Sequence, residues 1–196
     1  MKLFQLVLLA AGLVLAGCAT NSATSPVAAA LPPDPVLPQL SQPGELHPVS
    51  LKGQVFISTR GGRTLVLSGV TVAIYPAQYL KACADSIARY RATAVLEAKL
   101  QESTVEGMQA EIDRFNKAQE VARGSWSRLA PPVAKVMTDA DGRFELAAAV
   151  PRDYAIFCQG SRRLMDETEF YVWVLPSDQI SDPLRIIMSN ANVLQQ

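Results

Sequence analysis

The sequence predicts a mainly β fold: an antiparallel sandwich of seven short strands, with an α-helical hairpin inserted between two groups of strands. Three observations lead there. Runs rich in Val, Ile, Phe and Tyr recur from Gly53 onward, each closed by glycine, proline or aspartate turns. The stretch 78–123 contains no proline and is rich in Ala, Glu, Lys, Gln and Arg, which favours helix almost throughout. Strand-like runs then resume at Val133.

The first strand is Gly53-Gln-Val-Phe-Ile-Ser58. Gly61-Gly62 after it signals a two-residue hairpin, because glycine accepts the positive φ that such turns need. In Val70-Thr-Val-Ala-Ile-Tyr75, Val70, Val72 and Ile74 alternate with smaller or more polar residues, the period of a half-buried strand, and Pro76 closes the run. The second group begins at 133–138, turns through Asp139-Ala-Asp-Gly142 and continues as Arg143-Phe-Glu-Leu146. Three runs follow, at 154–158, 169–175 and 184–188. Between Phe170 and Leu175 both faces are apolar. Phe170, Val172 and Val174 are expected in the sandwich interior, leaving Tyr171, Trp173 and Leu175 outward, where another element or a partner must cover them.

Within 78–123, Leu80, Cys83, Ile87, Tyr90 and Ala94 form one stripe at helical spacing, and Val105, Met108, Ile112, Phe115 and Ala122 form another. Ser103 with Glu106 fits a capping box, which favours a helix restart and hence an antiparallel hairpin. The alternative is one helix of about 45 residues, about 68 Å long, forming a coiled coil with other copies. In a hairpin, the apolar stripe could cover the Tyr171 and Trp173 face.

At the amino end, Met1-Lys2 precedes an apolar run from Leu3 to Leu15, then Leu15-Ala16-Gly17-Cys18. A basic start, a short apolar run and small residues form a signal peptide over 1–17, too short to stay as a membrane span. Cys18 after Leu-Ala-Gly resembles the lipobox of bacterial lipoproteins. That resemblance implies lipidation of Cys18, including a palmitate-type acyl chain, and membrane anchoring. Ala19 and Thr20 follow, without the aspartate that marks inner-membrane retention in the enterobacterial pattern, so the periplasmic face of the outer membrane is the expected location. Residues 18–49 carry Pro26, Pro32, Pro33, Pro35, Pro38, Pro43 and Pro48 and read as a tether, reaching roughly 90 Å if extended. A folded domain is expected over 50–196, with the helical insert at about 78–123.

Lysine plus arginine and aspartate plus glutamate number 18 each, so no basic field points to nucleic acid. Of three cysteines, Cys18 is assigned to lipid. Cys83 and Cys158 are then either a disulfide in an oxidising compartment or two separate buried thiols. Asp139-x-Asp141-Gly142 lacks the further ligands and flanking helices of a calcium loop and reads as a turn. His47, the one histidine, sits in the tether beside Pro48, where no catalytic triad or zinc site is expected. Glu167 and Glu169 read as an exposed strand end, Arg152, Arg162 and Arg163 as solvated charge, and Arg60-Gly-Gly-Arg63 lacks the lysine of a phosphate loop. No catalytic residue, metal or cofactor is predicted.

Gly53-Gln-Val-Phe-Ile57, Val70 to Tyr75, Thr138-Asp-Ala-Asp-Gly-Arg-Phe144 and Pro151-Arg-Asp-Tyr-Ala-Ile156 stand in an order that resembles bacterial carboxypeptidase-regulatory-like domains. The resemblance implies a transthyretin-like (prealbumin-like) sandwich and a role in recognition, stability or assembly. It carries no catalytic residue, and the chain lacks the histidines and carboxy-terminal motif of hydroxyisourate hydrolases. The expectation is a lipid-anchored, non-catalytic interaction module of the cell envelope, binding a protein partner through Tyr171 and Trp173. An oligomeric coiled-coil spacer is the rival.

Overall fold

The computed structural model describes residues 31–41, 44–59, 61–99, 105–165 and 167–194. The expected signal peptide and Cys18 lie outside them, as do Arg60 and Ser103. The elements are β1 (Leu46–Ser58), β2 (Thr64–Val66), β3 (Thr71–Pro76), α1 (Ala77–Lys99), α2 (Val105–Trp126), β4 (Ala134–Met137), β5 (Arg143–Pro151), β6 (Tyr154–Leu164), β7 (Glu167–Pro176) and β8 (Ile186–Met188). The chain is mainly β, with eight strands where the sequence suggested seven.

Two four-stranded sheets form. In the first, β1 pairs antiparallel with β2 and β5 and parallel with β8; the second runs β4-β3-β6-β7. Side chains alternate between faces along each strand, so each sheet presents one set inward. Leu51, Val55, Ile57, Phe144, Leu146, Val150, Ile186 and Met188 from the first sheet meet Val72, Ile74, Ile156, Cys158 and Trp173 from the second. Gly53 faces this interior, where a Cβ would lie 2.6 Å from the Phe144 Cζ. Its missing side chain lets the Phe144 ring close over the backbone.

The helices cover the other face of the second sheet. Ala73, Tyr75, Ala155, Phe157 and Val172 meet Tyr79, Leu80, Cys83, Ile87, Ala122 and Trp126. Tyr75 stacks on Tyr79 and Trp126 on Phe157, each pair 5.6 Å apart. The result is three layers: hairpin, sheet, sheet. Because β3 and β6 are buried on both faces, Val72–Tyr75 and Tyr154–Cys158 are buried continuously, and the half-buried alternation expected of β3 is corrected.

Tyr90 and Ala94 of α1 pack with Ala118 of α2, while Leu80 and Cys83 share a cluster with Ala122 and Trp126. The helices therefore run antiparallel as a hairpin. One long coiled-coil helix is excluded by that packing.

Two turns show how local chemistry sets the loops. The 59–63 loop joins β1 to β2 with Ser58 paired to Thr64, longer than the two-residue turn the glycines suggested; Gly62 takes φ 77°. In the 139–142 turn, Asp139 Oδ1 accepts the N–H groups of Asp141 (2.9 Å) and Arg143 (2.8 Å), and Gly142 takes φ 69°. The turn reading of Asp139 and Asp141 accounts for their geometry.

Much of the expected tether is folded. β1 begins at Leu46, with His47 paired to Val150 and Pro48 to Ala149, so the strand starts inside the segment read as linker. Pro48 is tolerated because β1 gains a partner on its second edge, β8, only from Gly53. Residues 31–41 lie along the hairpin: Leu31 packs on Tyr90, Ala94 and Ala118, and Leu37 and Leu40 join the cluster between hairpin and sheet.

Candidate functional site

β7 carries the residues singled out from sequence, and its faces are the reverse of the expectation. Trp173, 1% exposed, lies in the sandwich interior, where its Nε1 donates to the Ser189 carbonyl at 2.9 Å. Tyr171 is half-buried and stacks on Trp173 at 5.8 Å. Its hydroxyl donates to Glu169, which also meets Arg162 Nη2 at 2.5 Å. Val172 and Val174 pack instead beneath the helices. Trp173 is thus a core residue rather than an exposed contact position.

Alternation along β7 separates the two sets of side chains, but both sets are apolar, so it cannot say which one faces the first sheet. Packing decides. Gly160 of β6 stands opposite Tyr171, and a Cβ there would lie 2.7 Å from Leu67 Cδ1 but at an ordinary contact of 3.6 Å from Trp173 Cζ3. The missing side chain lets Leu67 close over β6 beside the indole, while under the hairpin the helices pack on the valine side of β7.

The reversal leaves Phe170 on the helix-facing side, 42% exposed, because α2 does not cover this end of β7. There the second sheet and α2 diverge into an open cleft of about 1390 Å³. Gln159, Ser161, Thr168 and Phe170 form its floor, and Phe115, Asn116, Gln119 and Arg123 its wall. The Arg123 guanidinium lies 4.6 Å above the Phe170 ring, an attraction between cation and ring face worth about 0.5–1 kcal/mol where water reaches it. Phe115 is 47% exposed at the lip and continues outward into Ile112 and Met108, 52% and 56% exposed. The second stripe read from sequence therefore divides: Ala122 packs inward, and Met108, Ile112 and Phe115 remain uncovered.

Chemically, the cleft combines two part-exposed aromatic rings, one of them beneath Arg123, with neutral amide and hydroxyl groups and the carboxylates of Glu120 and Glu169. This arrangement can hold an elongated ligand by stacking and hydrogen bonding. Among the described residues no group of three or more His, Cys, Asp or Glu is placed to hold a metal ion. His47 is exposed on β1, paired with Val150.

Cys83 and Cys158 are both buried and free, which corrects the disulfide alternative. They lie on opposite faces of the second sheet, Cys83 under the hairpin and Cys158 in the sandwich interior, so the sheet itself separates them. Burial pushes the Cys158 thiol up to about 12. Burial also raises Cys83, partly offset by its contact with the Tyr79 hydroxyl.

No protein-family model and no curated protein matches this sequence. Three solved structures show weak likeness. A proposed carbohydrate-binding protein from Pseudomonas aeruginosa is 14% identical over 79% of this chain and 100% of its own, with a TM-score of 0.39. The pilus backbone of Streptococcus pneumoniae is 14% identical over 72% of this chain and 41% of its own, with a TM-score of 0.23. The full-length major pilin of that organism is 15% identical over 72% of this chain and 30% of its own, again with a TM-score of 0.23. The chain thus spans less than half the length of either pilin. Likeness at this level leaves the reading of the site to its own chemistry.

Proposed function

We propose that this chain is a lipid-anchored envelope lipoprotein whose folded domain is a non-catalytic binding module, with the cleft between α2 and the β6–β7 end of the second sheet as its binding face. The observation that carries the reading is the pair of aromatic rings, Phe115 and Phe170, left open across a cleft rimmed by Asn116, Gln119, Gln159 and Thr168. Exposed aromatics beside neutral polar groups are the composition of a contact surface. Of the ionisable groups lining the cleft, Glu169 is held by Arg162 and Tyr171 and Arg123 lies over Phe170, while Glu120 stands exposed on α2.

The lipobox around Cys18 supports anchoring through acyl chains, and the residues after it favour the periplasmic face of the outer membrane. The order of strand motifs supports a carboxypeptidase-regulatory-like, transthyretin-like module, here enlarged by the helical hairpin. A photo-crosslinker at Asn116 in whole cells tests the reading. One dominant crosslinked species is expected, lost when Phe115 and Phe170 are both replaced by alanine. Crosslinking that survives both substitutions in a folded protein refutes the cleft as the binding face. The exposed run Met108, Ile112 and Phe115 favours a second reading, self-association through the hairpin. Light scattering of the chain from residue 31 tests it, and a monomer at high concentration removes it.

A further inference from the structure

We infer that residues 31–41 are a docked strap, and that this strap sets how near the membrane the domain sits and which side it turns toward it. The inference rests on the lipid anchor proposed above. Five contacts hold the strap. Leu31 packs on Tyr90, Ala94 and Ala118. The Asp34 carboxylate lies 3.4 Å from the Arg128 guanidinium. Pro35 is buried, Ser86 Oγ donates to the Val36 carbonyl at 2.9 Å, and Leu37 and Leu40 pack into the cluster containing Tyr79, Leu80 and Cys83.

The contacts advance in register. As the strap runs from Leu31 to Leu40, its partners on α1 fall from Ala94 through Tyr90 and Ser86 to Tyr79, so it lies antiparallel to the helix. Ten residues in polyproline form extend about 28 Å, and α1 from Tyr79 to Ala94 measures about 22 Å. Pro32, Pro33, Pro35 and Pro38 fix φ before docking, which lowers the entropy lost in laying the strap down.

The consequence is geometric. Cys18 stands thirteen peptide steps before Leu31, a reach of at most about 45 Å. Counted to Leu46, where β1 begins, the same chain would reach about 95 Å. Docking halves the tether and moves its exit from the sandwich to the hairpin. Hairpin and outer sheet face stand about 20 Å apart across the three layers. Turning the sandwich toward the membrane would take up about 20 Å or more of that reach of about 45 Å in passing the domain, chain that stays free when the hairpin side is turned to the bilayer. The hairpin side therefore faces the bilayer, and the cleft, walled by α2, opens in the zone beside it.

The test uses the full-length, lipidated protein in vesicles of phosphatidylethanolamine and phosphatidylglycerol with an acceptor dye on the headgroups. A donor dye is placed at Lys117→Cys on α2 or at Glu145→Cys on the outer face of the first sheet, both exposed positions. Energy transfer from position 117 is expected to be at least twofold that from 145. Inserting twenty Gly/Ser residues between Thr20 and Asn21 leaves the folded domain untouched and is expected to abolish the difference. Equal transfer at the two positions, or transfer insensitive to the insertion, overturns the strap. Protein that fails to float with the vesicles, and whose amino-terminal peptide carries no acyl mass, overturns the anchor and with it the orientation.

Discussion

Replacing Trp173 by alanine tests the orientation of β7 against the reverse one. The indole is 1% exposed, stacks on Tyr171 and donates to the Ser189 carbonyl. Truncating a buried Trp to Ala costs about 3–5 kcal/mol. Leaving the Ser189 carbonyl without its donor adds about 1 kcal/mol. A total of about 4–6 kcal/mol is a large share of the roughly 5–15 kcal/mol that holds a domain together. With a urea slope of about 2 kcal/mol/M, the unfolding midpoint should fall by about 2–3 M. Phe170→Ala is the matched control. Its ring is 42% exposed beneath Arg123, so the loss should be smaller, about 1–2.5 kcal/mol. Both variants are measured by urea titration with far-ultraviolet circular dichroism. A Phe170→Ala midpoint below that of Trp173→Ala would show that β7 turns its other face to the sandwich, and the cleft would lose its floor.

Two further outcomes follow from single buried groups. Thr138 is 5% exposed; its Oγ1 accepts the Val70 N–H at 3.1 Å and donates to the Leu67 carbonyl at 2.7 Å. Thr138→Val should cost about 1–3 kcal/mol in denaturant titration, and an unchanged midpoint would show that this tie between β4 and the 67–70 segment carries no stability. Cys158 is raised from 9.0 to about 12 and Tyr75 from 10.0 to about 12, both chiefly by burial. Each favours folding fully below its unfolded value, and that contribution is lost as pH climbs from about 9 toward 12. Stability measured across pH 8–11 should therefore fall steadily, with neither thiol reacting with a disulfide reagent until the chain unfolds. A flat profile or fast labelling in the native state would contradict the burial.

The two β groups and the helical insert were legible because each rests on local signals. Period-two runs, proline stops and the proline-free stretch 78–123 depend on neighbours in the chain, and the Asp139 turn needs only its own backbone amides. The hairpin was legible too, from the apolar stripe of α1 and the capping-box restart, although α2 packs through Ala118, Ala122 and Trp126 and leaves Met108, Ile112 and Phe115 exposed. Less was visible where partners are distant. β2 is three residues long and all exposed, and only its pairing with Ser58 and its neighbours makes it a strand. The proline-rich segment carried every mark of a linker, yet Leu31, Leu37 and Leu40 find apolar surface that the hairpin creates.

By itself the sequence determined the kinds of element, their order and the burial of the apolar stripe on α1. These follow from backbone sterics and side-chain periodicity, which act within a few residues. The tertiary structure decided which apolar face of β7 turned inward, whether two cysteines shared a layer, and where residues 31–41 came to rest. Those outcomes depend on shape matching between surfaces far apart in the chain, such as Leu67 closing into the space that Gly160 leaves. The cleft arises the same way: Phe115 and Phe170 stand open together because α2 and the second sheet diverge, a distance that no stretch of either element contains.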